Sequence, residues 1–558
     1  MNPQITVWLD GAQLNAFLDR MKTVLSPGDF EMIKGMVDTI RFLLGALQRA
    51  KTSIKRLREM VFGAKTEKTS EVLKDGQEVA GGDGKDGNSS DTGDGSTAGK
   101  KKRKGHGRNG RNDYPGAKRT RIAHESLKHG DLCPCCGKGR VYQSLDSGIF
   151  IFFMGQAPII AEIFEQEKLR CNGCGEVFTA KLPEGIGEEK YDPTAGSMLS
   201  LMRYGSGFPL YRFQKLEGNL GIPFPVANQW EVLAKVAARI GPVFWELIRL
   251  AAQGQVLYID DTVMRILEIS KEMAQRKLLP KPEEKEGDED EAGKEKERTG
   301  IFTSAVVSEA EGHRIALFFT GTKHAGENLA VVLAQREKDL APPIKMFDGL
   351  DRNTPKDTPV VDSNCLTHGR RNFVKIVEDF PPECRFVIEC VKGVYEIEAE
   401  AKERGLPPEE RLGLHKEKSG PIMEALELWL EWKIEGKVIE PNSSLGQAIK
   451  YMRKRWARLT LFLRVAGAPI DNNLAERLLK MAIIHRKNSY FYKTLNGARV
   501  GDILMSVINT ARLEGVNAFE YLTELQRHAD RVRAKPGDWL PWNYKATLAG
   551  LIPQAEAG

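Results

Sequence analysis

Two apolar runs in this 558-residue chain end in acid. Val256 to Asp260 reads Val-Leu-Tyr-Ile-Asp, and Ile344 to Asp348 repeats the design just before Gly349. Each is predicted to be a buried strand that delivers a carboxylate to its end, and strand alternation leaves open whether Asp260 or Asp261 faces inward. A third acid stands in the run Pro469 to Arg477, where Asp471 can cap a helix and Glu476 follows within its second turn. Three carboxylates from separated segments bring enough negative charge to hold two magnesium or manganese ions, with coordination sites left for water and phosphate. The chemistry they would serve is in-line displacement at a phosphodiester. One ion would lower the pKa of an attacking water or 3′-hydroxyl, and the other would stabilise the leaving oxygen.

A second metal signal lies in the cysteines. Cys133 with Cys136, and Cys171 with Cys174, form two C-x-x-C pairs, each able to present two thiolates on one turn. Facing each other, such turns make the closed four-sulfur site of structural zinc. Ile149 to Phe153 and Ile159 to Phe164 suggest strands of a small ribbon between them, although the interval exceeds the common zinc-ribbon spacing. Cys135 reads as a bystander, and Cys365, Cys384 and Cys390 as core.

Basic residues supply the complement for nucleic acid. From Lys100 to Arg121 the chain carries Lys101, Arg103, Lys104, Arg108 and Arg111 among ten cations opposed by Asp113. Behind a Gly-, Asp- and Ser-rich stretch too polar to fold, Thr69 to Gly99, this is expected to be an arm for DNA phosphates that binds without reading sequence, the alternative being a solvated tail. Near the acids, His368, Arg370, Arg371, Arg477, Arg486 and Lys487 could meet phosphates or support the carboxylates.

Several elements must position these groups. Ile33, Ile40, Leu47, Ile54 and Val61 recur at heptad spacing, with Met36, Leu43, Ala50 and Leu57 between them. That seam predicts a coiled coil and self-association as a dimer or higher assembly. Leu210 to Leu216 and Asn228 to Ala238 read as helices around a turn-rich Gly218 to Pro225, a helix-turn-helix arrangement suited to DNA. The charged stretch 271–299 reads as a surface loop. Pro421 to Glu435 and Ser444 to Leu463 are predicted helices, with Trp429, Trp432 and Trp456 in their core.

A net charge of +6 is too mild to identify a partner by itself. No run approaches the roughly 18 apolar residues of a membrane span, and Asp10 and Asp19 near the start exclude a secretory signal. Eight sparse cysteines fit a reducing cytoplasm.

At these residues the chain resembles the insertion sequence 66-type DDE transposases. The resemblance rests on the heptads followed by Val61 to Lys65, on Gly105 to Arg108, the cysteine pairs and Pro209 to Arg212. It continues through Asp260-Asp261-Thr262, Asp348-Gly349, His368 to Phe373, Asp471 to Arg477 and Arg486 to Asn488. It implies an RNase H-like catalytic fold with Asp260, Asp348 and Glu476 as the DDE triad, which selects Asp260 over Asp261. It also implies small accessory proteins encoded by the same element, and association with the bacterial nucleoid through DNA. The chain departs from the family in having Asp261 where glutamate is usual, and Leu350, Asp351 and Arg352 where aromatic residues are common. The stretch 271–299 stands as an insertion.

The resulting expectation is a multidomain α/β protein: a coiled-coil region (1–68), linker and basic arm (69–130), zinc ribbon (131–182) and helical DNA-binding region (183–250). An RNase H-like domain follows (251–520), holding a helical insertion at about 375–465, and then a C-terminal tail (521–558). The implied activity is cleavage at transposon 3′ ends and strand transfer into target DNA. Two rivals are an inactive transposase-derived DNA-binding protein and an RNase H-fold nuclease that never joins.

Overall fold

The computed structural model describes residues 18–23, 26, 28–31, 33–35, 37, 126–142, 156–170, 177–183, 189–278, 300–350, 353, 355, 358–436 and 438–551. Two compact units divide the chain: Met1–Val79 with Cys365–Ile470, and Ala80–Asn364 with Asp471–Gly558. The basic arm, Cys171, Cys174, the charged stretch beyond Leu278 and every heptad position except Ile33 lie outside the described residues.

In the larger unit, β1 (Lys168–Arg170) and β2 (Val177–Thr179) pair antiparallel, with Leu169 opposite Phe178. Ile159 to Phe164, expected as a strand, is not one, and Ile160 and Ile163 are exposed. An apolar run becomes a strand only where a neighbour takes up its backbone groups and its face. Here the Ile159 N–H donates to the Glu217 carboxylate at 3.4 Å and not to a neighbouring strand.

Helix α1 (Pro193–Ser200) starts where Asp192 accepts the Thr194 N–H at 2.8 Å and Pro193 presets the first turn. Helices α2 (Leu210–Asn219) and α3 (Val226–Ala251) confirm two helices about a turn. However, α3 runs far past Ala238, because Ile240, Val243, Phe244, Leu247 and Ile248 extend its buried stripe into the core.

The core is a five-stranded mixed sheet of order β5-β4-β3-β6-β7. Strands β3 (Val256–Val263), β4 (Phe302–Ala310) and β5 (His313–Gly321) form an antiparallel meander. Strands β6 (Ile344–Phe347) and β7 (Val361–Asn364) extend the other side in parallel. Two corrections follow. Strand β3 continues three residues past Asp260, so this acid sits within the strand and not at its end. The stretch expected as a loop from 271 begins as helix, because α4 (Leu267–Leu278) crosses into it. Helix α5 (Ala325–Leu333) follows β5, and its N-terminus is closed by a His324–Glu327 capping box.

The smaller unit is helical: α6 (Leu366–Val374), α7 (Pro381–Glu403), α8 (Pro408–Leu414), α9 (Gly420–Glu435) and α10 (Ser444–Lys454). Its limits, 365–470, are wider than the expected 375–465. Val387, Ile388 and Val391 of α7, Leu426 and Leu430 of α9, and Ile449 and Met452 of α10 are fully buried. Trp432 is instead 55% exposed, which corrects its assignment to the core. Burial alone would raise the Glu398 carboxyl, but hydrogen bonds with His415 (2.9 Å) and Arg411 (2.8 Å) hold it at about 2.

The chain returns to the larger unit as α11 (Asn473–Ser489), α12 (Leu495–Leu513), α13 (Ala518–Arg527), α14 (Ala529–Ala534) and α15 (Tyr544–Leu551). The expected tail from 521 is therefore folded through residue 551. Tyr521, Trp539 and Tyr544 belong to the main core, and the Tyr521 hydroxyl donates to the Trp539 carbonyl at 2.7 Å. Helix α12 covers the sheet edge. Asp502, Ser506 and Thr510, spaced four apart on one face, accept the N–H groups of Thr320 (2.7 Å), Phe318 (2.9 Å) and Ala316 (3.1 Å) on β5. An edge that would otherwise template another chain is thus closed by side chains.

Candidate active site

The sheet and α11 gather the three acids that the sequence singled out. Asp260 projects from the middle of β3, and Asp348 follows β6 directly, its backbone turned by Gly349 at φ +89°. Strands β3 and β6 are parallel neighbours, which sets these two acids side by side. Glu476 lies in the first turn of α11 and not the second, because the helix begins at Asn473, one residue later than a cap at Asp471 would set it. Burial, and next the Asp348 charge, with Glu476 and Asp261 adding less, raise the Asp260 carboxyl to about 7. The Asp261 N–H, donated to its Oδ1 at 2.8 Å, opposes the shift. A cluster of hard oxygen donors that retains a proton near neutrality fits a divalent cation, since cation binding would displace that proton and offset the repulsion.

Neighbouring polar groups hold the frame. Asp348 Oδ1 accepts the Leu350 N–H at 3.0 Å and the Asn353 side-chain amide at 3.2 Å. Asn472 does not cap its own helix. Its amide donates to the Ile259 carbonyl at 2.9 Å, while Asp471 Oδ1 accepts the Asn473 N–H at 3.0 Å. Asp261, with its side chain buried, meets His324 Nδ1 at 3.1 Å, and the His324 ring leans on Phe302 with centroids 4.1 Å apart. Asp261 is thus occupied at the start of α5. Sequence reasoning missed the roles of Asn353, Asn472 and His324. The successive asparagines 472 and 473 beside the third acid were the one available signal.

Residues 288–500 match the family model described as "Transposase IS66 family". That span is therefore similar to the IS66 family of transposases. The matched segment includes Asp348 and Glu476, and Asp260 precedes it. Two proteins of Sinorhizobium fredii are similar to this chain. One, named uncharacterized protein y4jD, is 31% identical over 204 residues, covering 36% of this chain and 39% of that relative. The other, named uncharacterized protein y4hP, is 29% identical over 218 residues, covering 37% of this chain and 39% of its own length. The chain thus spans about two fifths of each curated relative it matches.

Within the matched segment the basic residues divide by environment. Arg477, Lys480, Ile484 and Lys487 form one exposed face of α11, opposite the buried Ala475, Leu479, Ala482 and His485. Arg486 is engaged elsewhere, its Nη1 donating to Thr262 Oγ1 at 3.1 Å and to the Val263 carbonyl at 2.5 Å. In the smaller unit, α6 carries His368, Arg370 and Arg371. Arg370 is buried, and Arg371 Nη1 lies 3.4 Å from His368 Nε2.

Of the four paired cysteines, Cys133 and Cys136 lie among the described residues. The Cys133 N–H donates to the Gly139 carbonyl at 2.7 Å, and the Gly137 N–H to the Cys133 carbonyl at 2.9 Å, folding the pair into a tight turn. The Gly139 N–H, 3.5 Å from Cys136 Sγ, leads the backbone contacts that lower this thiol from its ordinary range. A turn that favours thiolate suits a zinc ligand pair. Among the described residues no helix is long and apolar enough to cross a membrane.

Proposed function

We propose that this chain is the DNA transposase of an insertion sequence, with Asp260, Asp348 and Glu476 as its DDE triad. The observation that carries the reading is that β3, β6 and α11 bring Asp260, Asp348 and Glu476, distant in sequence, close enough for the other two charges to act on the buried Asp260 carboxyl. The strand order, with three antiparallel strands continued by two parallel ones, supports an RNase H-like core. Two magnesium or manganese ions held by the triad would activate the attacking water or 3′-hydroxyl and offset charge on the leaving oxygen. The chain's own residues set the geometry. Asn472 fastens the Glu476 helix to β3, and the exposed Arg477, Lys480 and Lys487 provide a phosphate track from the triad along α11. The turn at Cys133 and Cys136, completed by Cys171 and Cys174, would hold structural zinc. The basic arm would add affinity that does not depend on sequence, and the heptads would pair subunits. Accessory proteins of the same element are further partners.

The test combines purified protein, magnesium and duplexes bearing the element's ends with a second target duplex. Asp260→Asn, Asp348→Asn and Glu476→Gln are each expected to abolish joining while end binding persists. A variant that joins at the wild-type rate removes that acid from the triad. Hydrolysis by the wild type without joined product would favour a nuclease, and neither product would favour an inactive descendant.

A further inference from the structure

Beyond the triad, one buried polar chain leads to a triad member. Lys345 sits on β6 three residues before Asp348, and its side chain is 0% exposed. Its ammonium lies 2.9 Å from Asp362 Oδ1 on β7, its register partner, and 3.8 Å from the centroid of the Phe347 ring. It also donates to the main-chain carbonyl of Asn353 at 3.4 Å. Asn353 is itself fully buried and turns its amide Nδ2 onto Asp348 Oδ1, the oxygen that also accepts the Leu350 N–H. The Nδ2–Oδ1 distance of this hydrogen bond is 3.2 Å.

A buried ion pair contributes little net stability compared with apolar residues of the same volume, because desolvation offsets the attraction. What such a pair does well is fix a position. Here its ammonium also holds the main-chain carbonyl of Asn353. Two donors converging on Oδ1 fix the plane of the Asp348 carboxylate, as outer hydrogen-bond partners commonly do for metal-binding carboxylates.

We propose that Asn353 is a positioning residue for Asp348, and that the buried Lys345–Asp362 pair serves to hold Asn353 in place. The inference rests on reading Asp348 as a metal ligand. The experiment titrates Mn2+ into the full-length protein calorimetrically and records thermal unfolding of each variant. Asn353→Ala is expected to weaken Mn2+ binding by about 10- to 100-fold with little change in unfolding temperature. Lys345→Met should weaken it comparably through loss of the anchor, and the double variant should be no worse than Asn353→Ala alone. That non-additivity separates a relay from general loosening of the fold. Asp348→Asn is the control. If it binds Mn2+ like wild type, the metal-ligand reading falls and takes this inference with it. If it loses Mn2+ while Asn353→Ala binds normally, the inference alone is overturned. Additive losses in the double variant would remove the Lys345 part. Should Asn353→Ala fail to fold, Asn353→Ser and Lys345→Met carry the same comparison.

Discussion

The side-chain amide of Asn472 donates to the carbonyl of Ile259 at 2.9 Å, so the helix bearing Glu476 is fastened to β3 at the residue next to Asp260. The hydrogen bond joins residues separated by 213 positions in sequence. Two candidate metal ligands are thereby held by one contact buried between helix and sheet.

Asn472→Ala is expected to cost about 1–3 kcal/mol, because a buried carbonyl loses its donor. Chemical denaturation would measure that loss. Mn2+ affinity should fall as well, since Glu476 would no longer be held in register with Asp260. A variant of wild-type stability would show that the helix is positioned by its apolar face alone.

Asp502 predicts a pH dependence. Burial raises its carboxyl to about 8, opposed by hydrogen bonds from the Thr320 hydroxyl and N–H. The unfolded chain would release this proton near the model-peptide value of about 3.9. Between those limits the folded state binds the extra proton, so the group's contribution to stability is complete below about pH 4 and declines as pH rises toward 8. Its share of the slope is at most about 1.4 kcal/mol per pH unit. Asn imitates the protonated acid, donating to the Thr320 hydroxyl and accepting its N–H. Asp502→Asn should flatten the decline between pH 5 and 8 in urea denaturation. An unchanged slope would mean that Asp502 is ionised in the folded protein.

Arg486 and Lys487 are adjacent in sequence yet should fail differently. Arg486→Ala removes two hydrogen bonds to the end of β3 and is expected to lower stability by about 1–3 kcal/mol. Lys487→Ala, on the exposed face of α11, should leave stability within about 0.5 kcal/mol. It should weaken DNA binding and reduce the logarithmic salt slope by about one. Thermal melts alongside salt-dependent fluorescence anisotropy would separate the two; the opposite pattern would invert their assigned roles.

Elemental analysis of purified protein is expected to find about one zinc per chain, the stoichiometry of a closed four-sulfur site. Cys136→Ser should release it, and chelation of the wild type should loosen the region around residues 126–142 to protease. Protein that folds identically without zinc would show that the cysteine turn is held by its backbone bonds alone.

Much of this protein is legible without coordinates wherever residue type and local spacing decide the outcome. The apolar runs before Asp260 and Asp348 specify strands because their burial period is local, and the acid-bearing helix after Asp471 follows from turn chemistry and packing pattern. Strand alternation alone left Asp260 and Asp261 equivalent and the family resemblance favoured Asp260; the tertiary structure sets Asp348 and Glu476 near Asp260 and bonds Asp261 to His324. The final segment, expected as a tail, likewise places Tyr521, Trp539 and Tyr544 in the core. Arg486, expected to meet phosphates or support the carboxylates, instead donates to Thr262 and Val263, more than 220 residues away. Sequence determines which groups can ionise, bond or pack, since those are properties of each residue and its neighbours. Only the tertiary structure decides which groups meet, because desolvation and charge coupling act through space between segments that no local pattern links.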